Sequence, residues 1–153
     1  MSYVITLEKF TDTYLELEPL YRQHYQEMTD RLRAEGIEYS PYNPRLHEYG
    51  RACEDGSLLT FVLRLEGVAC GYLNVYVTND MHNQDLIAQE DTIFVVKEHR
   101  NGVGKKLAQF CLEELKRRGV KRLHVAAMTD LRAVKLWSRM GFKEVATQMI
   151  YRF

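Results

Sequence analysis

The stretch VVKEHRNGVGKKLAQF, residues 95–110, carries the residue types best suited to holding an anion. A β-rich run, Thr92–Val96, leads into it, and a helix spanning Val103 to Arg118 leads out. Gly102 and Gly104 allow the backbone to turn sharply and come close to a ligand. The first N–H groups of the helix have no partner within the helix and point into the loop, and the helix dipole adds a partial positive charge there. Lys105 and Lys106 oppose that dipole in the first turn, a local cost that a bound polyphosphate would offset. The turn has neither the G-x-x-x-x-G-K-[ST] spacing of a P-loop nor the G-x-G-x-x-G spacing of a dinucleotide site, so another kind of phosphate ligand is expected.

Charge is divided along the chain in the same sense. The formal net charge is zero, yet residues 1–96 hold 7 Lys/Arg against 16 Asp/Glu, a balance of −9, and residues 97–143 hold 13 against 4, a balance of +9. The second half suits an anionic ligand and the first a cationic one. Zero net charge removes the positive field of a nucleic-acid binder. Three cysteines, Cys53, Cys70 and Cys111, lack C-x-x-C spacing and fit reduced thiols, hence a cytoplasmic setting. No segment approaches the roughly 18 apolar residues of a membrane span, and no histidine pair has metal-ligand spacing, so neither a membrane nor a metal is expected.

The elements that must position the loop follow from periodicity. Tyr3–Leu7 reads as a strand, and Thr13–Ala34 as a long helix with an interruption near Pro19, since Leu17, Leu20, Tyr21, Tyr25, Met28 and Leu32 recur at helical spacing. A short helix from Asn43-Pro44 ends near Gly56. Leu58–Leu65 and Val68–Thr78 form a hairpin about Glu66-Gly67. Thr92–Val96, the helix and Val120–Ala127 make a βαβ unit whose strands run parallel. Asp130 caps a further helix ending at Gly141, and Val145–Tyr151 reads as a last strand. At 153 residues this is one α/β domain, residues 1–153, with a mixed sheet and helices on its faces.

The strand, the V-x-x-x-x-R step to Arg100, the Gly-x-Gly turn, the apolar helix, the second strand and the D-x-x-A-x-x-L-W-x-x-x-G-F run from Asp130 to Phe142 together resemble the acetyl-CoA-binding core of the GNAT N-acetyltransferase superfamily. The layout is similar to that of small phage and bacterial members. The resemblance implies that the pyrophosphate of coenzyme A meets Arg100, Asn101, Gly102, Val103, Gly104 and Lys105. It also implies that pantetheine and the acetyl carbonyl meet Phe94, Val95 and Val96 where the two parallel strands splay. Asp130 and Trp137 fall at family positions on the following helix, but the family's asparagine is here an aspartate suited to an N-cap, and its tyrosine acid is a tryptophan with no proton to give. The loop is also one residue short, so Arg100 and His99 compete for the arginine position.

The activity implied is transfer of an acetyl group from acetyl-CoA to an amine by direct attack, and the acidic first half implies a cationic acceptor. Glu90 and Asp91, just before the coenzyme strand, are the candidate bases for deprotonating that amine. Strand alternation allows one of them to face the cleft, and parity with Val95 favours Asp91 unless a bulge intervenes. His82, His124 and Tyr151 are weaker candidates. The alternative is a catalytically weak member of the same fold that binds acyl-CoA or a protein. The partners expected are acetyl-CoA and an amine, with no nucleic acid and a homodimer as an open assembly state.

Overall fold

A computed structural model describes residues 2–128 and 130–153. Its centre is one five-stranded sheet in the order β1-β2-β3-β4-β5, with β1 Tyr3–Glu8, β2 Leu58–Leu65, β3 Val68–Asn79, β4 Leu86–Val95 and β5 Arg122–His124. The first four strands are antiparallel neighbours and β5 runs parallel to β4, as a βαβ connection requires. The β2–β3 turn places Glu66 at φ 51° and Gly67 at φ 83°, the pair of positive angles that matches the twist of a two-residue hairpin.

Burial on both faces explains the run LLTFVL in β2, apolar but for the buried Thr60. Phe61, Leu63, Leu73, Val75 and Val95 face α3, Val103–Arg117, and pack on its Val103, Leu107, Cys111 and Leu115. The alternate residues Leu58, Val62, Tyr72 and Phe94 face α1, Phe10–Ala34, and α2, Leu46–Glu54. A final helix, α4, covers Leu131–Arg139. Pro19 lies inside α1 without interrupting it. It is exposed, so the loss of one backbone N–H bond falls on the solvent side while Leu17, Leu20 and Tyr21 remain buried on either flank.

Two expectations about strands are corrected. Residues 145–151 form no strand: Val145, Met149 and Tyr151 are each at least 80% exposed, and the segment pairs with nothing among the described residues. A β-prone sequence becomes a strand only against a partner edge, and β5, which would offer that edge, is three residues long. For the same reason the expected strand 120–127 shrinks to Arg122–His124.

Candidate active site

The shortness of β5 creates the site. It pairs with β4 through Ile87–Arg122, Ala88–Leu123 and Gln89–His124, and beyond that point the two chains part. Glu90 stands at the fork, where its Oε1 accepts the Ala126 N–H at 3.2 Å. The part of β4 from Glu90 onward keeps β3 on one side and has no strand on the other.

At the fork β4 also carries a bulge. Asn74 faces Thr92 and Val75 faces Glu90, leaving Asp91 as an extra residue with no partner on β3. The bulge puts Asp91 on the same face as Thr92, and Glu90, Asp91 and Thr92 all border one cavity of about 290 Å³, with the Asp91 charge acting on Tyr21, Tyr49 and Tyr72 and the Glu90 charge on Cys111 of α3.

The opposite wall of this cavity is aromatic. Tyr14, Tyr21, His24, Tyr25, Met28 and Arg31 come from one face of α1, Tyr42 from the segment after it, Tyr49 from α2 and Tyr72 from β3. The Tyr49 hydroxyl donates to Asp91 Oδ2 at 2.9 Å, and its ring stacks on Phe10 at 4.9 Å. Tyr14 and Tyr42 join through their hydroxyls at 3.3 Å. The Tyr72 hydroxyl and Thr92 Oγ1 are buried in the wall, close to one another and with no other hydrogen-bond partner among the described residues.

Burial sets the protonation of the ionisable lining. It pushes the Glu90 carboxyl up to about 7, with the neighbouring Asp91 charge adding to the rise and the Ala126 N–H opposing it. Asp91 is likewise raised by burial, against the lowering effect of the Tyr49 bond. Burial drives His24 the other way, to about 4, so this ring, edge-on to Phe94 at 5.9 Å, is neutral at neutral pH. No cation pairs with Glu90 or Asp91 among the described residues, whereas Arg31 lies 3.8 Å from Asp130.

The loop beyond β4 runs through a 3-10 turn, Lys97–His99, to Gly102 at φ 96°, which stands as the N-cap of α3. That angle is open to glycine and costly for other residues. The N–H groups of Gly102, Val103 and Gly104 make no bond within the described chain, as the first turn of a helix predicts. Around Gly104 an added Cβ would meet only Leu136 Cδ2, at 4.0 Å. Asn101 and Lys105 are exposed, and the Val103 side chain is core.

Arg100 is differently placed. Its Nε donates to the Val95 carbonyl at 2.7 Å, and its guanidinium holds both oxygens of Glu27, at 2.8 and 3.1 Å, above the Phe94 ring. Its charge is thus engaged by α1. His99 accepts or donates at Nδ1 to the Tyr3 hydroxyl at 2.9 Å, fixed to β1. Phe94 and Val95 bury their side chains on opposite faces of the sheet, and Val96 donates its N–H to the Cys70 carbonyl at 2.9 Å.

Asp130 caps α4 by accepting the Arg132 N–H at 3.0 Å and the Ala133 N–H at 3.4 Å. Trp137 is core, packed on Phe142 at 4.9 Å, with its indole N–H buried and unpartnered. Neither it nor the three weaker candidates lines the cavity: His82 and Tyr151 are exposed, and His124 sits on the outer part of β5. The aromatic wall and His24 were legible only as helix periodicity. The tyrosines of α1 share the spacing of a core stripe, and nothing in the sequence distinguishes a ring facing a cavity from one facing a core.

A mixed sheet that parts beyond a short parallel strand, over an acid-bearing cavity and beside a glycine turn with free N–H groups, is the acyl-CoA N-acyltransferase fold. Solved structures agree. The chain matches a ribosomal-protein-alanine N-acetyltransferase from Brucella melitensis biovar Abortus 2308 at 19% identity and a TM-score of 0.75, over 100% of this chain and 99% of that one. It matches a GCN5-related N-acetyltransferase from Ralstonia eutropha JMP134 at 20% and 0.76, over 99% of both. AAC(6')-Iy in complex with a bisubstrate analogue, CoA-S-monomethyl-acetylneamine, matches at 18% and 0.75, over 100% and 99%. At such identities the likeness is one of fold. No curated protein matches the chain significantly. A family model does, over residues 14–142, and the chain belongs to the acetyltransferase (GNAT) family. It is an N-acetyltransferase fold that takes its acetyl group from acetyl-CoA.

Proposed function

We propose that the protein transfers the acetyl group of acetyl-CoA to a primary amine by direct attack, with Glu90 and Asp91 as its catalytic acids. The observation that carries this reading is the bulge at Asp91, which turns that acid towards the aromatic wall beside Glu90, at the point where β5 leaves β4.

The residues present fit the coenzyme. Free N–H groups at Gly102, Val103 and Gly104, with exposed Lys105 beside them and room at Gly104, suit a pyrophosphate. The edge of β4 that β5 leaves unpaired, running towards Phe94, suits the pantetheine amides, although Arg100 Nε already takes the Val95 carbonyl and the Cys70 carbonyl takes the Val96 N–H. Arg100 serves this site by tying the loop to Glu27 on α1 rather than by offering a free charge. Trp137, with no proton to give, is a wall of the core, and Asp130 positions α4.

Asp91 holds the acceptor's ammonium and Glu90 removes its proton, directly or through one water. A base whose proton affinity is matched to neutral pH is effective in this task, and Glu90 at about 7 meets that condition. Bound acetyl-CoA supplies an acyl carbon activated as a thioester: the amide C–N bond forms, the C–S bond breaks, and the second proton lost by the nitrogen passes through water to the departing sulfur. We place the protein in the cytoplasm, the setting its three free thiols fit.

The test is release of free thiol from acetyl-CoA across a panel of amines, with product mass as confirmation. Glu90→Gln lowers kcat, and Asp91→Asn raises KM for the amine. Stabilisation of the protein by acetyl-CoA without thiol release from any amine refutes transfer and favours a binding module.

A further inference from the structure

We infer that the acceptor is a small primary amine bearing one ammonium on an aromatic or flat apolar body, held in a cage of tyrosines. This rests on the transfer reading above and adds the chemical class of the substrate.

The charge balance of the cavity sets the number of ammonium groups. Its lining holds five ionisable residues other than tyrosine: Glu90, Asp91, Asp130, Arg31 and His24. Arg31 and Asp130 offset one another at 3.8 Å, and Asp130 already caps α4. His24 is neutral at neutral pH. Of the two acids that remain, Asp91 is the one whose charge acts on Tyr21, Tyr49 and Tyr72 of the wall, whereas that of Glu90 acts on Cys111 of α3, so one carboxylate faces the rings to meet one ammonium. An acceptor with several ammonium groups, such as an aminoglycoside or a polyamine, would leave the others among tyrosine rings without a counter-ion, a costly burial.

The amine is already primary on the transfer reading, and the group that meets its ammonium is the Asp91 carboxylate, whose Oδ2 accepts the Tyr49 hydroxyl at 2.9 Å and whose other oxygen carries no protein hydrogen bond among the described residues.

Ring geometry gives the body of the substrate. Above the acids, Tyr14 stacks on Tyr21 at 5.7 Å and joins Tyr42 by hydroxyls, and Tyr42 packs on Tyr25 at 5.5 Å. The faces and edges of these rings favour a further aromatic group, and a cation close to them gains from the ring quadrupole. The cavity, at about 290 Å³, accommodates one ring and a short linker.

Calorimetry and thiol release with phenethylamine, spermidine and kanamycin test this. Phenethylamine is expected to bind the protein saturably and to react with a kcat/KM at least about tenfold above either of the others, a difference that one misplaced charge or a lost ring contact supplies. Tyr42→Ala lies outside any helix or strand, and is expected to raise KM for phenethylamine about fivefold while leaving acetyl-CoA binding intact. Tyr14→Leu, which keeps an apolar side chain on α1, gives the same direction. Turnover of kanamycin or spermidine above phenethylamine overturns the acceptor class and leaves acetyl transfer standing. Saturable phenethylamine binding without thiol release supports the cage and refutes transfer, and absence of phenethylamine binding overturns the inference outright.

Discussion

Replacing Glu90 by Gln should stabilise the protein, and by an amount that depends on pH. In the folded chain burial raises this carboxyl from 4.5 to about 7, whereas the unfolded chain returns it to its ordinary value. Between those limits the folded state binds more protons than the unfolded one, so stability falls as pH rises. Below about 4.5 both states are protonated and nothing is lost; above about 7 the full penalty is present. At about 1.4 kcal/mol for each tenfold difference in proton affinity, the penalty approaches roughly 3 kcal/mol. Glutamine keeps the oxygen that accepts the Ala126 N–H and carries no charge at any pH. The variant should therefore match the wild type at pH 4.5 and exceed it by up to roughly 3 kcal/mol at pH 8, a rise of about 10 °C in Tm for a chain of this size. His24 works in the opposite direction, because its folded value near 4 lies below the unfolded one and its contribution to stability grows as pH rises through that range. Urea titrations of both proteins at pH 4.5, 6 and 8 remove the His24 contribution, which is common to both. A difference between them that stays constant across the three pH values would refute the reasoning.

The same geometry makes other expectations. Gly71→Ala should cost about 1–3 kcal/mol in urea unfolding, since its Cβ would come within 2.9 Å of the Phe94 carbonyl and 3.2 Å of Val95 Cγ2, both held by the sheet. Tyr49→Phe deletes the hydroxyl that favours ionised Asp91, so that the carboxyl rises further and the acid limb of the kcat/KM profile for the amine moves to higher pH. Lys105→Ala should weaken acetyl-CoA binding several-fold, by up to roughly 1 kcal/mol at low salt, and flatten its dependence on ionic strength in calorimetry, with little effect on stability because the side chain is exposed.

How much of this was legible in the sequence depends on whether a feature is local. The hairpin at Glu66-Gly67 and the αL position of Gly102 follow from single residues and were readable. Helix α3 is equally plain, because its apolar residues recur with one period and Gly119 ends it. The strand expected over 145–151 failed because its fate depends on an edge supplied elsewhere, and alternation alone cannot report whether β5 is long enough to receive it. Arg100 was legible as a basic loop residue, but Glu27, 73 positions earlier, decides where its guanidinium goes. Trp137 shows the same limit: its type forbids proton donation, while its burial against Phe142 is a tertiary fact.

The acids show how a local irregularity outweighs a correct local rule. Alternation along β4 would send Glu90 and Asp91 to opposite faces, one into the α3 core and one towards α1. Glu90 lies on the α3 side, where its charge acts on Cys111 and the Ala126 N–H offsets part of the cost of its burial. The bulge inserts Asp91 as an unpaired residue and turns it towards α1, and the loss of β5 beyond Gln89 opens the same stretch on its other edge. Either change alone would be insufficient: a bulge beside a paired β5 would leave no cavity, and a parted sheet without the bulge would leave Asp91 on the α3 side, away from Tyr49. Together they give two carboxylates in one cavity, one bonded to Tyr49 and the other to the Ala126 N–H, so that their environments differ although their positions are adjacent. That difference is what allows one acid to anchor an ammonium while the other, raised to about 7, exchanges its proton.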